Sequence, residues 1–383
     1  MAKLEMFEGL ELPAAADFHV HLRDGPMMQA VTPTVRRGGV DTVFVMPNLV
    51  PPITTVEAAL AYKKRLQTVE PNVNYLMSLY LHPDISPDTV REAKSSGQIY
   101  GIKSYPAGVT TNSASGVVDY EAFYDVFRAM EECDLVLNLH GEAPPTPPTG
   151  ERDGSDAVTV LNAEERFLPT LADLHRRFPK LRIVLEHCTT AKAVEAVRRC
   201  GPNVVGTITA HHLFLTVDDW AGDPINFCKP VAKLPSDRVE LLRAVVDGSG
   251  KFFFGSDSAP HLLNAKMGLT DGGLGAGKCA AGVFTQPNAI GFVLESIEQA
   301  VEVGIVEQNA VTNDVVTGVL GGYGRKFYKI GEPDKKIRIV GKGVEIKNVR
   351  VTNLHGNMEE AQGMADTVVT FRSGKNTYGV EWL

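Results

Sequence analysis

The feature that most constrains this chain is a rhythm. Eight short apolar runs, rich in β-branched and aromatic residues, lie at 16–22, 42–47, 74–81, 100–106, 135–141, 182–188, 204–212 and 252–257. Between them run amphipathic stretches such as VEAALAYKKRLQTV and DYEAFYDVFRAMEE, whose apolar residues recur at helical intervals with charges opposite. Eight strand–helix units predict a closed (β/α)₈ TIM barrel over residues 1–330. The runner-up, an open doubly wound sheet, needs a switch point, and no G-x-G-x-x-G follows the first run. After residue 331 the pattern shortens to IRIV, GVEIKNVRV, DTVVTF and GVEWL, which predicts a small β-rich C-terminal appendage over 331–383.

Charge narrows the function. Thirty-eight basic against 46 acidic residues give a net charge of −8, which offers no average support for binding nucleic acid or an anionic membrane. The five cysteines are an odd set without a C-x-x-C pair and are read as reduced packing residues of a cytoplasmic protein. No segment approaches the roughly 18 apolar residues of a membrane span, and the first residues carry acidic side chains where a secretory peptide would be apolar.

Three long connections, 107–118, 143–156 and 262–282, follow strand-like runs, and in a barrel such segments lie on the face that carries function. The 143–156 stretch reads equally well as surface decoration. His19, His21, His140, His187 and His261 also fall at or just beyond run ends. A lone histidine is usually structural, but five converging on one rim suit a metal centre, because ligands for an ion must be gathered from several strands. Period-two alternation turns His19 and His21 of the H-x-H pair to the same side. Asp257, after the apolar FFFGS, is costly to desolvate unless paired, hydrogen-bonded or bound to a cation.

Lys103 in YGIKSYP leaves two readings open. It is a surface lysine or plain ion pair, or a buried amine of lowered pKa that reacts with CO₂ and bridges two metals as a carbamate. Charge bookkeeping favours the second: two dications against Asp257, the carbamate and a hydroxide leave one positive unit for an anionic substrate.

ADFHVHLRDG, VFVMPNLVPPITT, GIKSYPAGVTTNS, LVLNLHGE, VLEHCTT, TAHHLF, NFCKPVAKLP and FGSDSAPH together resemble the amidohydrolase superfamily, and within it the single-function dihydroorotases, with the fungal members most similar. The resemblance spans about residues 15–290. It implies the reversible closure of N-carbamoyl-L-aspartate to dihydroorotate with loss of water, a step of de novo pyrimidine biosynthesis. It also implies two divalent ions, with zinc the best match to imidazole and oxygen ligands. By the same resemblance His19 and His21 bind one ion with Asp257 and carboxylated Lys103, and His140 and His187 bind the second. Asp257 is the catalytic proton carrier. Arg23, Asn48 and His261 hold the substrate carboxylate, and backbone atoms of Lys229, Ala281 and Gly282 read the ring. Thr110 and Thr111 sit in a loop that folds over the substrate, and a homodimer is implied.

The alternatives are another cyclic-amide hydrolase (dihydropyrimidinase, hydantoinase or allantoinase) and a non-catalytic scaffold on the same fold. Arg23 and Asn48 favour a substrate with a ring carboxylate. The stretch Gly272 to Cys279 imitates a phosphate loop, but Cys279 stands where that motif needs Ser or Thr, and no strand leads into it. His82, His211 and His212 match no ligand of the family and are read as structural or as groups that support the ligands from behind.

Overall fold

A computed structural model describes residues 5–146, 157–271, 277–352 and 366–383. A short strand β1 (Glu11–Pro13) precedes eight parallel strands. These are β2 (Ala15–Val20), β3 (Val40–Val45), β4 (Asn74–Tyr80), β5 (Ile99–Ser104), β6 (Val136–His140), β7 (Ile183–Glu186), β8 (Val204–Ile208) and β9 (Phe252–Phe254). They pair in sequence order. The ring closes just past β9, where Asp257 N donates to His19 O at 2.9 Å and His21 N donates to Ser258 O at 3.0 Å. The eight-unit barrel read from the sequence is the fold observed. Parallel strands are covered on both faces, which is why these runs are almost continuously apolar.

Helices cover the outside of the ring, and the inward side chains form a separate interior cluster. Phe18, Phe44, Leu76, Val184 and Phe253 fill the barrel floor, where Tyr328 of helix Tyr323–Tyr328 stacks on Phe18 at a ring separation of 5.1 Å. Gly324 belongs to that helix for a steric reason: a Cβ there would lie 2.1 Å from the Phe18 ring.

The segment after residue 331 supplies β10 (Lys336–Glu345), β11 (Val349–Arg350), β12 (Thr367–Val368) and β13 (Asn376–Trp382). β10 pairs antiparallel with β13 and also with β1, so the outer sheet contains a strand that precedes the barrel. Single bridges from Leu262 to Val368 and from Phe284 to Thr370 tie this region to the loop after β9.

Candidate metal centre

The strand ends at one rim carry a set of buried polar residues. β2 provides His19 and His21, and its register against β3 shifts between Asp17 and Val20. That shift lets Phe18 fill the floor while the adjacent His19 faces the centre. Asp17 Oδ1 holds the irregular turn, accepting from His19 N at 3.1 Å and Ser256 N at 2.7 Å. Asp257 lies three residues beyond β9, further out than the six-residue run suggested, with φ of 46°. Arg23 (60°) and His187 (42°) are also left-handed. Non-glycine residues in that region cost about 1–2 kcal/mol each and persist where the surroundings over-determine them.

Two imidazoles converge on one carboxylate. His19 Nδ1 lies 2.9 Å from Glu186 Oε2, and His21 Nδ1 lies 2.8 Å from Asn48 Oδ1. Both acceptors fix the proton on Nδ1, so both Nε2 lone pairs face Asp257 Oδ1, at 3.4 and 3.1 Å. Burial lowers the pKa of His19 and of His21, which keeps the rings neutral. Asp257 is buried, yet its pKa is lowered by the groups around it, the Lys103 charge among them. Two lone pairs aimed at an anionic oxygen repel one another unless a cation lies between them. These three residues form a buried group able to hold a metal ion.

Lys103 at the end of β5 is fully buried, and its Nζ has no hydrogen-bond partner. Burial drives its pKa down to about 8, against the pull of Glu186 and Asp257. An orphaned buried amine is an expensive feature, and it points to chemistry on the amine itself. His140 ends β6 and His187 follows β7, their ring centres 4.6 Å apart. His140 Nε2 lies 2.7 Å from Glu142 Oε2, and His187 Nδ1 has no partner. Burial lowers both imidazole pKa values. His140 and His187 thus stand beside the metal-capable group of His19, His21 and Asp257, the His187 ring centre 5.0 Å from that of His19.

The remaining residues singled out in the sequence fall around this centre. Arg23 Nε donates to Pro260 O at 3.0 Å. Arg23 Nη2 and the Ala281 carbonyl each lie 3.0 Å from His261 Nε2, which serves one of them at a time. Asn48 Nδ2 donates to Thr111 O, and Thr111 Oγ1 reaches Ala281 O at 3.4 Å. Thr110 is half-buried and bonded within its own turn to Ser113, away from this group. Lys229 is half-buried on the loop before Pro230. Gly282 sits where a Cβ would lie 2.6 Å from Ala259 O, so its backbone approaches as no other residue could. A cleft of about 340 Å³ opens beside Arg23, Thr111, Asn112 and His261.

Sequence reasoning missed Glu186, Glu142 and Asp17, all fully buried. The available signal was a carboxylate interrupting an apolar run: VLEHC and ADF each carry one. His211, His212 and Cys228 form a second buried group of metal-ligand type. There His212 is bonded through Thr209 and Pro230, and the Cys228 thiol donates to Pro230 O. His82 lies beside Asp84. The cysteines form no disulfide among the described residues. Residues 272–276 of the glycine-rich stretch and 147–156 of the long connection lie outside the described residues.

A family model described as Amidohydrolase matches residues 16–266. A probable dihydroorotase of Schizosaccharomyces pombe is 50% identical over 331 residues, 86% of this chain and 90% of that protein. The dihydroorotase of Saccharomyces cerevisiae is 43% identical, covering 98% of this chain and 99% of its own length. The crystal structure of S. cerevisiae dihydroorotase in complex with 5-fluoroorotic acid superposes with a TM-score of 0.84, at 41% identity over 98% of this chain and 99% of that one.

Proposed function

This chain belongs to the amidohydrolase family and, within it, to the dihydroorotases, and on that premise we propose how its barrel mouth carries out the reaction. The enzyme interconverts N-carbamoyl-L-aspartate and dihydroorotate: one direction closes the ring and releases water, the other adds water across the ring amide. The observation that carries the reading is Lys103, an unpartnered buried amine among His19, His140, His187 and Asp257.

His19, His21 and Asp257 would hold one divalent ion and His140 and His187 a second, with Lys103 as an N-carboxylated bridge between them. Zinc suits these ligands. Bound dications supply Lewis acidity, polarising the amide carbonyl and bringing the pKa of water toward about 7. Asp257 is the proton carrier. In hydrolysis its carboxylate takes the proton of the attacking water and passes it to the departing ring nitrogen. In ring closure it takes a proton from the ureido nitrogen and passes it to the departing hydroxyl. Its low pKa keeps it ionised.

Arg23 presents a planar donor fork to the substrate carboxylate, and Asn48 and His261 stand beside it. On substrate binding the Arg23 contact to His261 would be exchanged for charge-assisted bonds to the carboxylate. Main-chain groups of Lys229, Ala281 and Gly282 would read the ring, and Thr110 and Thr111 would close over it. We place the enzyme in the cytosol as a homodimer. Among the described residues no helix is long and apolar enough to cross a membrane.

The test is a substrate panel with metal analysis. Dihydroorotate should turn over at least a hundredfold faster than dihydrouracil, hydantoin or allantoin, with two metal ions per chain. Equal turnover of dihydrouracil, or full activity in a metal-free sample, would overturn this reading.

A further inference from the structure

One buried carboxylate bonds a ligand of one half of the centre directly and a ligand of the other half through Thr207, and it has no part in the chemistry above. Glu186 closes β7 with its side chain fully buried. Its Oε2 lies 2.9 Å from His19 Nδ1 and accepts from Thr207 Oγ1 at 2.7 Å. Its Oε1 accepts from Asn138 Nδ2 at 2.6 Å. Thr207 Oγ1 in turn accepts from the backbone N of His187 at 2.7 Å. His19 on β2, His187 after β7, Asn138 on β6 and Thr207 on β8 are thus fastened to one side chain, and Lys103 on β5 lies within its field.

Resting on the dihydroorotase reading, we propose that Glu186 is a positioning residue: it fixes His19 in the tautomer that presents Nε2 to the centre and anchors His187 through Thr207. A carboxylate behind a metal-bound imidazole sets the ring's orientation and raises its basicity. A carboxylate drawn into an apolar barrel and met by donors from three other strands is costly unless its charge serves a group nearby. The group it bonds that can carry this charge to the centre is His19.

The geometry supplies a clean variant. In Glu186→Gln the amide oxygen can stay at the Oε2 position and keep accepting from His19 and Thr207, while the new NH₂ faces Asn138. Asn138 Oδ1 has no partner at present, so its amide can rotate to accept from the new NH₂ and from Tyr328 Oη, which lies 2.6 Å from Asn138 Nδ2. The charge is removed and the network survives. Glu186→Leu removes the acceptor as well.

The experiment titrates the purified metal-free chain with Co²⁺ and with Zn²⁺ against a competing chelator, following the visible cobalt spectrum, and records thermal unfolding without metal. Glu186→Gln should bind the first ion about 10–100-fold more weakly than wild type, with an altered cobalt spectrum and an unchanged metal-free unfolding midpoint. Glu186→Leu should lose more. Wild-type affinity and spectrum in Glu186→Gln would overturn the inference while leaving the dihydroorotase reading intact. So would a lowered metal-free midpoint with unaltered affinity, which would mark a purely structural role. A wild-type chain that binds neither ion would overturn the function reading and this inference with it.

Discussion

The same eight strands build two interiors that obey opposite rules. At the floor, Phe18, Phe44 and Phe253 pack around Tyr328, whose hydroxyl oxygen accepts from Asn138 Nδ2. At the mouth, one to four residues further along, sit charged and polar groups, several of them incompletely bonded: Lys103 Nζ, His187 Nδ1 and Tyr105 Oη lack partners. The floor is apolar and closely packed. The mouth is costly, and the cost is recoverable only if something absent from the polypeptide binds there. The difference teaches where stability and function separate along one strand: β2 contributes Phe18 to the first and His19 to the second within a single register shift.

Substitutions can break this contrast. The largest effect should come from Asp257→Ala, with turnover lower by about 10³–10⁴-fold and the fold retained; circular dichroism with a dihydroorotate assay checks both. Near-normal kcat would remove Asp257 from proton transfer. At the floor the pattern should invert: Phe18→Ala should cost about 3–5 kcal/mol in denaturant unfolding, while kcat per folded molecule stays close to wild type. Third in size, Arg23→Met should raise KM by about 10–100-fold with a smaller change in kcat, from the loss of charge-assisted bonds to the substrate carboxylate. Lys103→Met should abolish paired metal binding, counted as metal ions per chain after loading with zinc, where wild type should hold two. A Lys103→Met chain that still binds two ions would remove the lysine from the metal centre.

A smaller effect concerns pH. Glu164, buried between Thr189 and Thr190, has its pKa raised by burial to about 7 from an ordinary 4.5. The folded state therefore holds this proton more tightly than the unfolded state. Its contribution is fully present below pH 4.5 and is lost as pH rises through about 7. Metal-free wild type should lose about 1–3 kcal/mol from this group between pH 5 and 8, and Glu164→Gln should flatten that slope.

How far the sequence revealed this arrangement follows from what each residue interrupts. The barrel was legible because eight apolar runs alternate with amphipathic helices, and His19, His21, Lys103 and Asp257 stood out as polar residues ending such runs. The register shift in β2 was not legible, because consecutive inward residues violate strict alternation and depend on Asp17 bonding back to His19 and Ser256. Nor were the left-handed backbones of Arg23, His187 and Asp257, which tertiary contacts impose on residues of no special turn propensity. Asn48 was read as a substrate contact, yet its amide already joins His21 to the 107–118 loop through Thr111 O. Only the folded chain shows that connection, since the partners are 27 and 63 residues away.

The most direct test is a crystal structure of the zinc-loaded protein with anomalous data collected at the zinc edge. The account predicts two anomalous peaks flanking Lys103, with density for a carboxyl group on Nζ. A mouth with no anomalous peaks and an unmodified Lys103 amine, in crystals grown with ample zinc and bicarbonate, would contradict it.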